Sequence, residues 1–257
     1  MIFNPQEKRI SFYSSGLERL LRTEDIDGKP IGNYAFHDLQ QVCYAWLIGL
    51  HEECNPALER VFEWSALAIC NNEEFGESYG FHHSQLHWVH AIADWMLNAS
   101  NNVNDWLQAS QLTKQYWKEG NYSEKWMIKN ELDDYMAFLL QSSRYEEGIS
   151  IYEKFLGDRK NNVIKNPKPR DYAYAVCLSQ INEKFSEEEV FKIGCRMLQS
   201  KLEDSWLGYG QSIRAVTWLK IVFWDKNWRA GRLESEGVLQ AVLKAYDNMP
   251  RVIIHKT

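Results

Sequence analysis

The stretch YAFHDLQQVCYAWLIGLH, Tyr34 to His51, decides how the chain is read. Ala35, Leu39, Val42, Trp46 and Leu50 recur three to four residues apart, which lays an apolar stripe along an α-helix and fits no alternating strand. Asn55-Pro56 follows, a capping residue and then a proline suited to a first helical position, so a second helix is expected from there to about Cys70. Upstream, Asn4-Pro5 has the same form and opens a segment towards Thr23, while Asp25 to Gly32 is a loop rich in turn formers. Downstream, Asn71 to Gly80 is an acidic loop. Helices are expected from about Phe81 to Leu97, Asn104 to Lys118, Ser123 to Gln141, Tyr145 to Leu156 and Arg170 to Asn182. Ser186-Glu-Glu-Glu189 is a capping box that opens the next one towards Leu202, and the last two fall at about Ser205–Trp224 and Leu233–Asn248. Only the tail Arg251 to Ile254 reads as strand. About ten helices joined by short loops predict an all-α fold, an irregular stack of helical hairpins.

At 257 residues, with 45% hydrophobic and 25% charged residues, the chain has the composition of a globular protein with a sizeable core. Eleven Trp and 13 Tyr add large apolar area with polar ring edges, which suits thick helix packing and also contact surfaces. The net charge of −6 is unevenly spread: 8 Lys+Arg against 16 Asp+Glu up to Gly120, then 21 against 19 from Asn121 on. A first half at −8 is unsuited to phosphates or anionic lipid, so neither a nucleic-acid partner nor a membrane is expected. It suits a basic partner. One all-α domain over 1–257 is expected, subdivided into an acidic helical half, 1–120, and a helical-repeat-like half, 121–257. The longest irregular linker, Asp158 to Pro169, is a candidate division of the stack.

Cys43, Cys54, Cys70, Cys177 and Cys195 are odd in number and lack C-x-x-C spacing, so they form neither a disulfide framework nor a zinc ribbon. The first residues, Met1 to Glu7, lack the charged and apolar regions of a signal peptide, and no apolar run is long enough to span a bilayer. A cytoplasmic protein is expected.

The hairpin Leu139-Leu-Gln-Ser-Ser-Arg-Tyr-Glu-Glu-Gly-Ile-Ser-Ile-Tyr-Glu-Lys-Phe-Leu156 resembles the second half of a tetratricopeptide repeat. The resemblance implies that Arg144 to Glu147 form the turn and that Ile149, Tyr152 and Leu156 pack inward. Gly148 stands at the small-residue position although it lowers helix propensity. No 34-residue recurrence extends the pattern, so the architecture is only partly tetratricopeptide-like.

The densest group of titratable side chains is His82-His83-Ser-Gln-Leu-His87-Trp-Val-His90, with Asp94 beyond it. At about 100° per residue, His83, His87, His90 and Asp94 fall within roughly 60° of one another, on the polar face of their helix. His83 and His87 have the spacing at which two imidazoles converge on zinc or iron. Helix spacing alone supplies no supporting shell, and the alternative is a solvated or partner-facing stripe of three unpaired histidines sensitive to pH. The expectation adopted is no metal and no cofactor. The site His83, His87, His90 and Asp94, in a metal-dependent helical-bundle enzyme, is the alternative.

Catalytic residues are not expected. The chain has no P-loop, no G-x-G-x-x-G after a strand and no G-x-S-x-G, and His51-Glu-Glu-Cys-Asn55 fails H-E-x-x-H at its last position. The acidic run offers more. Glu52, Glu53, Glu59, Glu63, Glu73, Glu74 and Glu77 are opposed only by Arg60, and Phe62, Trp64, Phe75 and Tyr79 lie among them. Rings give affinity and charge gives oriented encounter, the combination an inhibitor of a basic protein uses. The partner-binding residues expected are therefore Glu52, Glu53, Glu59, Glu63, Glu73, Glu74, Phe75, Glu77 and Tyr79.

An all-α, Trp- and Tyr-rich chain, acidic in one half and without a catalytic motif, resembles the all-helical immunity proteins of bacterial polymorphic toxin systems. The resemblance is one of character over the whole chain, and no binding residue is transferred by it. It implies a stoichiometric inhibitor that occludes a cognate toxin. A helical-repeat adaptor or regulator holding a peptide or protein is the alternative from a second class.

Overall fold

The computed structural model describes residues 31–47, 51–72, 83–157, 166–182, 185–204 and 211–224. Among them are ten α-helices and no strand: α1 Ile31–Leu47, α2 His51–Cys70, α3 Ser84–Asn98, α4 Val103–Glu119, α5 Glu124–Asn130, α6 Leu132–Gln141, α7 Tyr145–Leu156, α8 Pro169–Asn182, α9 Glu187–Asp204 and α10 Ser212–Trp224. The protein is all-α, and among the described residues no helix is long and apolar enough to cross a membrane. The expected segments from Asn4 to Thr23, at Leu233–Asn248 and at Arg251–Ile254 lie outside the described residues.

The chain forms two compact units. One holds α1 to α3, α4 as far as Tyr116, and the start of α10 at Ser212 and Ile213. Here α1 packs on α2 and α3, and α2 packs on α3. The stripe read from the sequence fills this core: Ala35, Leu39 and Val42 are fully buried, and Trp46 meets Trp95 edge-on at 6.1 Å. Pro56 does not open α2. The helix begins at His51, and Pro56 lies inside it. The buried Cys54 donates its thiol to the Val42 carbonyl at 3.6 Å, so packing on α1 holds the turn ahead of Pro56 helical although the proline forfeits a backbone bond.

The other unit holds the end of α4 from Trp117, then α5 to α9, and α10 from Arg214. The helix expected over Ser123–Gln141 is two helices, interrupted at Glu131. Arg170 Nη1 donates to the Ile128 carbonyl at 2.8 Å, the acceptor that Leu132 N would use in a continuous helix. The hairpin α6–α7 turns two to three residues earlier than the repeat resemblance implies, at Ser142 to Arg144, with Ser143 at φ 58°. Tyr152 is fully buried, whereas Ile149 and Leu156 are only half-buried. Gly148 has a packing reason: a Cβ there would stand 2.7 Å from Cys177 Sγ of α8, so α7 and α8 approach as closely as only glycine permits.

Tyr152 and Tyr174 stack at 4.0 Å, with their hydroxyls donating to Asp171 at 2.5 Å and Glu153 at 2.8 Å. Arg214 clasps Asp134 through Nε and Nη2 at 2.6–2.9 Å. Burial pushes the Asp134 carboxyl above its ordinary range against the pull of Arg214. The same carboxylate holds the Arg214 guanidinium firmly protonated. The capping box at α9 forms as expected, Glu189 Oε2 accepting from Ser186 N and Oγ at 2.8 Å.

Candidate functional site

The most specific polar arrangement in the first unit begins with a helix cap. Asn102 precedes α4, and Asp105 stands three residues on. Asn102 Oδ1 accepts from Asp105 N at 3.4 Å, and Asn102 Nδ2 donates to Asp105 Oδ2 at 2.7 Å, a reciprocal cap that pins a carboxylate at a helix N-terminus. Against it, from α3, come two imidazoles one turn apart. His87 Nδ1 lies 2.8 Å from Asp105 Oδ1, and His90 Nδ1 lies 2.6 Å from Asp105 Oδ2. An ionised carboxylate only accepts, so both rings donate through Nδ1. Burial by itself would raise the Asp105 carboxyl; the hydrogen bonds and charge of His87 and His90 outweigh it and hold the group below its ordinary value.

This corrects the reading of a solvated stripe with unpaired histidines. His83, His87, His90 and Asp94 share a face of α3, but His87 is buried and paired, and His90 is paired and partly covered. The His83 and His87 rings stand 6.1 Å apart between centroids, while the Asp94 carboxylate accepts from Asn98 Nδ2 at 2.8 Å and from Ser100 Oγ. Among the described residues no group of three or more His, Cys, Asp or Glu side chains is placed to hold a metal ion.

His90 links this node to the surface. Its ring stacks on Phe62 of α2, centroids 4.5 Å apart and planes 16° from parallel. Phe62 in turn lines an open cleft of about 370 Å³ between α2 and α3, together with Asn55, Glu59, Glu63, Leu97 and Asn98. Glu59 and Glu63 are exposed and one turn apart on α2, and neither forms an ion pair among the described residues. Arg60, the lone cation of the run, forms no ion pair with either among the described residues; its guanidinium lies 5.3 Å from the centroid of the Trp64 ring.

Of the contact residues read from the sequence, Glu53, Glu59 and Glu63 are exposed on α2. Glu52 falls within α2 by its backbone. Glu73, Glu74, Phe75, Glu77 and Tyr79 lie outside the described residues. Sequence reasoning missed Asp105, the centre of the node, and the cleft residues Asn55, Leu97 and Asn98. Asn102-Val-Asn-Asp105 carries a legible signal, a capping residue with an acid three positions later. Nothing local marks Leu97 or Asn98, because the cleft exists only once α3 lies against α2.

Burial raises the thiols of Cys43 and Cys177, and burial followed by the charge of Glu53 pushes Cys54 up to about 12, which favours the neutral thiol at all three. Compared with protein-family models, curated proteins and solved structures, the chain matches none.

Proposed function

We propose that this chain is an immunity-type inhibitor, which neutralises a basic toxin by binding it through the acidic face of α2. The observation that carries the reading is the open cleft lined by Glu59 and Glu63 together with Phe62. Two uncompensated carboxylates one helical turn apart attract a basic surface over a Debye length, and an aromatic side chain among them supplies short-range affinity. Glu53 is also exposed on α2, about 80–120° around the helix from the pair. Binding of this kind needs surface complementarity and no chemistry.

The test is co-expression with the protein encoded beside its gene. Protection of the host, and its loss when Glu59 and Glu63 are both changed to Lys, is the expected result. In purified form the double reversal is expected to slow association at least tenfold at low salt while leaving helicity intact. Full protection by the doubly reversed variant would remove the acidic face from the function.

A further inference from the structure

We propose that the α2–α3 cleft is a seat for a single arginine side chain of the partner protein, its guanidinium stacked on Phe62 and bonded to Glu59 and Glu63; this rests on the reading that the acidic face meets a basic protein. The cleft, at about 370 Å³ and open to solvent, is roomy enough to admit a guanidinium. Its acceptors are spaced for a fork. Residues four apart on a helix stand ~5–6 Å apart at Cβ, and Glu59 and Glu63, so spaced, both line the cleft beside Phe62. A planar guanidinium with five donors can bond both while its face lies over an aromatic ring. An ammonium is a point charge and satisfies fewer of these contacts.

The ring is held in place before anything binds. Phe62 stacks on His90, and His90 is fixed by the Asp105 carboxylate, itself fixed by the cap at Asn102. A preorganised ring loses little freedom on stacking with a cation. Asn98 contributes to the rim: its Nδ2 is committed to Asp94 Oδ1, which leaves its Oδ1 as the atom that can accept from an incoming donor. The chain's own cation does not fill the seat, because the Arg60 guanidinium lies over Trp64. The same carboxylates repel a phosphate from this cleft.

The experiment titrates the full-length protein with the capped peptides Gly-Gly-Arg-Gly-Gly, Gly-Gly-Lys-Gly-Gly and the uncharged citrulline analogue, following backbone amide shifts. The arginine peptide is expected to shift the amides around Asn55–Glu63 and Leu97–Asn98 saturably, the lysine peptide to bind about three- to tenfold more weakly, and the citrulline peptide to leave them unmoved. Glu59→Gln and Glu63→Gln, both exposed, are each expected to weaken the arginine peptide several-fold, and together to abolish saturation. Phe62→Leu is expected to erase the preference for arginine over lysine, and a retained amide spectrum shows that it folds. Equal binding of arginine and lysine, or shifts unaffected by the double Gln variant, overturns the seat. Protection lost on Glu59 and Glu63 reversal with no peptide response would retain the acidic face and refute the arginine seat. A peptide response with protection insensitive to the reversal would do the opposite.

Discussion

Asp105→Ala tests whether the carboxylate between His87 and His90 organises the first unit. The side chain is only 11% exposed and accepts from His87, His90 and Asn102. Hydrogen bonds to a charged group contribute about 1.5–3 kcal/mol each, but they share one acceptor and are not additive, and removing the carboxylate also relieves its desolvation. The buried Nδ1–H of His87 is left without its acceptor. Together these set the expected loss at about 3–5 kcal/mol. Asp105→Asn keeps the shape and one acceptor; one imidazole must change tautomer to accept from the new amide, so the expected loss is about 1–3 kcal/mol. The assay is native-state hydrogen exchange of α3 and α4 amides, which reads local stability without assuming that both units unfold together. The pH dependence has a fixed sign. Asp105 is held below its ordinary 3.8, so its contribution is full above that value and is lost as pH falls through the lower folded value. Asp105→Asn is expected to flatten that acid limb. Two variants that each change protection by less than about 0.5 kcal/mol, with the acid limb intact, would refute the reasoning.

In the second unit, Arg214→Leu is expected to cost about 3–5 kcal/mol in urea unfolding by leaving the buried Asp134 unpaired, whereas replacing both partners with apolar residues should be near neutral. A double variant as damaged as the single one would count against that account. Gly148→Ala gains roughly 1 kcal/mol of helix propensity but drives a Cβ against Cys177 Sγ, so the expected net effect is a loss of about 1–3 kcal/mol, reversed by Cys177→Ala. Thermal melts of the two single variants and the double check it. Elemental analysis of protein purified without an affinity tag is expected to find less than a stoichiometric amount of zinc or iron; one equivalent that disappears on His87→Ala would reopen the metal alternative.

Much of the fold is local and therefore legible. The period of Ala35, Leu39 and Val42 identifies α1, Tyr145 to Leu156 bounds α7 as read, and Ser186 with Glu189 forms the cap its spacing encodes. Failures in the described helices occur where a distant residue overrides a local preference. Cys54 bonded to Val42 extends α2 past Pro56, and Arg170 on the Ile128 carbonyl helps split the helix expected through Glu131.

The same division runs through the site. That His87 and His90 lie on one face of a helix, and that Glu59 and Glu63 lie on one side of another, follows from 3.6 residues per turn and needs no structure. Hydropathy then misassigns the histidine face to solvent, because a polar residue is scored by its own affinity for water and not by the partner that replaces water. Asp105 is that partner, 18 residues from His87 along the chain, and its buried carboxylate draws His87 inside and partly covers His90. The sequence by itself determined the helices, their amphipathic registers and the surplus of negative charge. Only the tertiary structure decided which polar face is buried, that Phe62 stacks on His90, and that α2 and α3 enclose a cleft, since each depends on contacts between groups far apart in sequence.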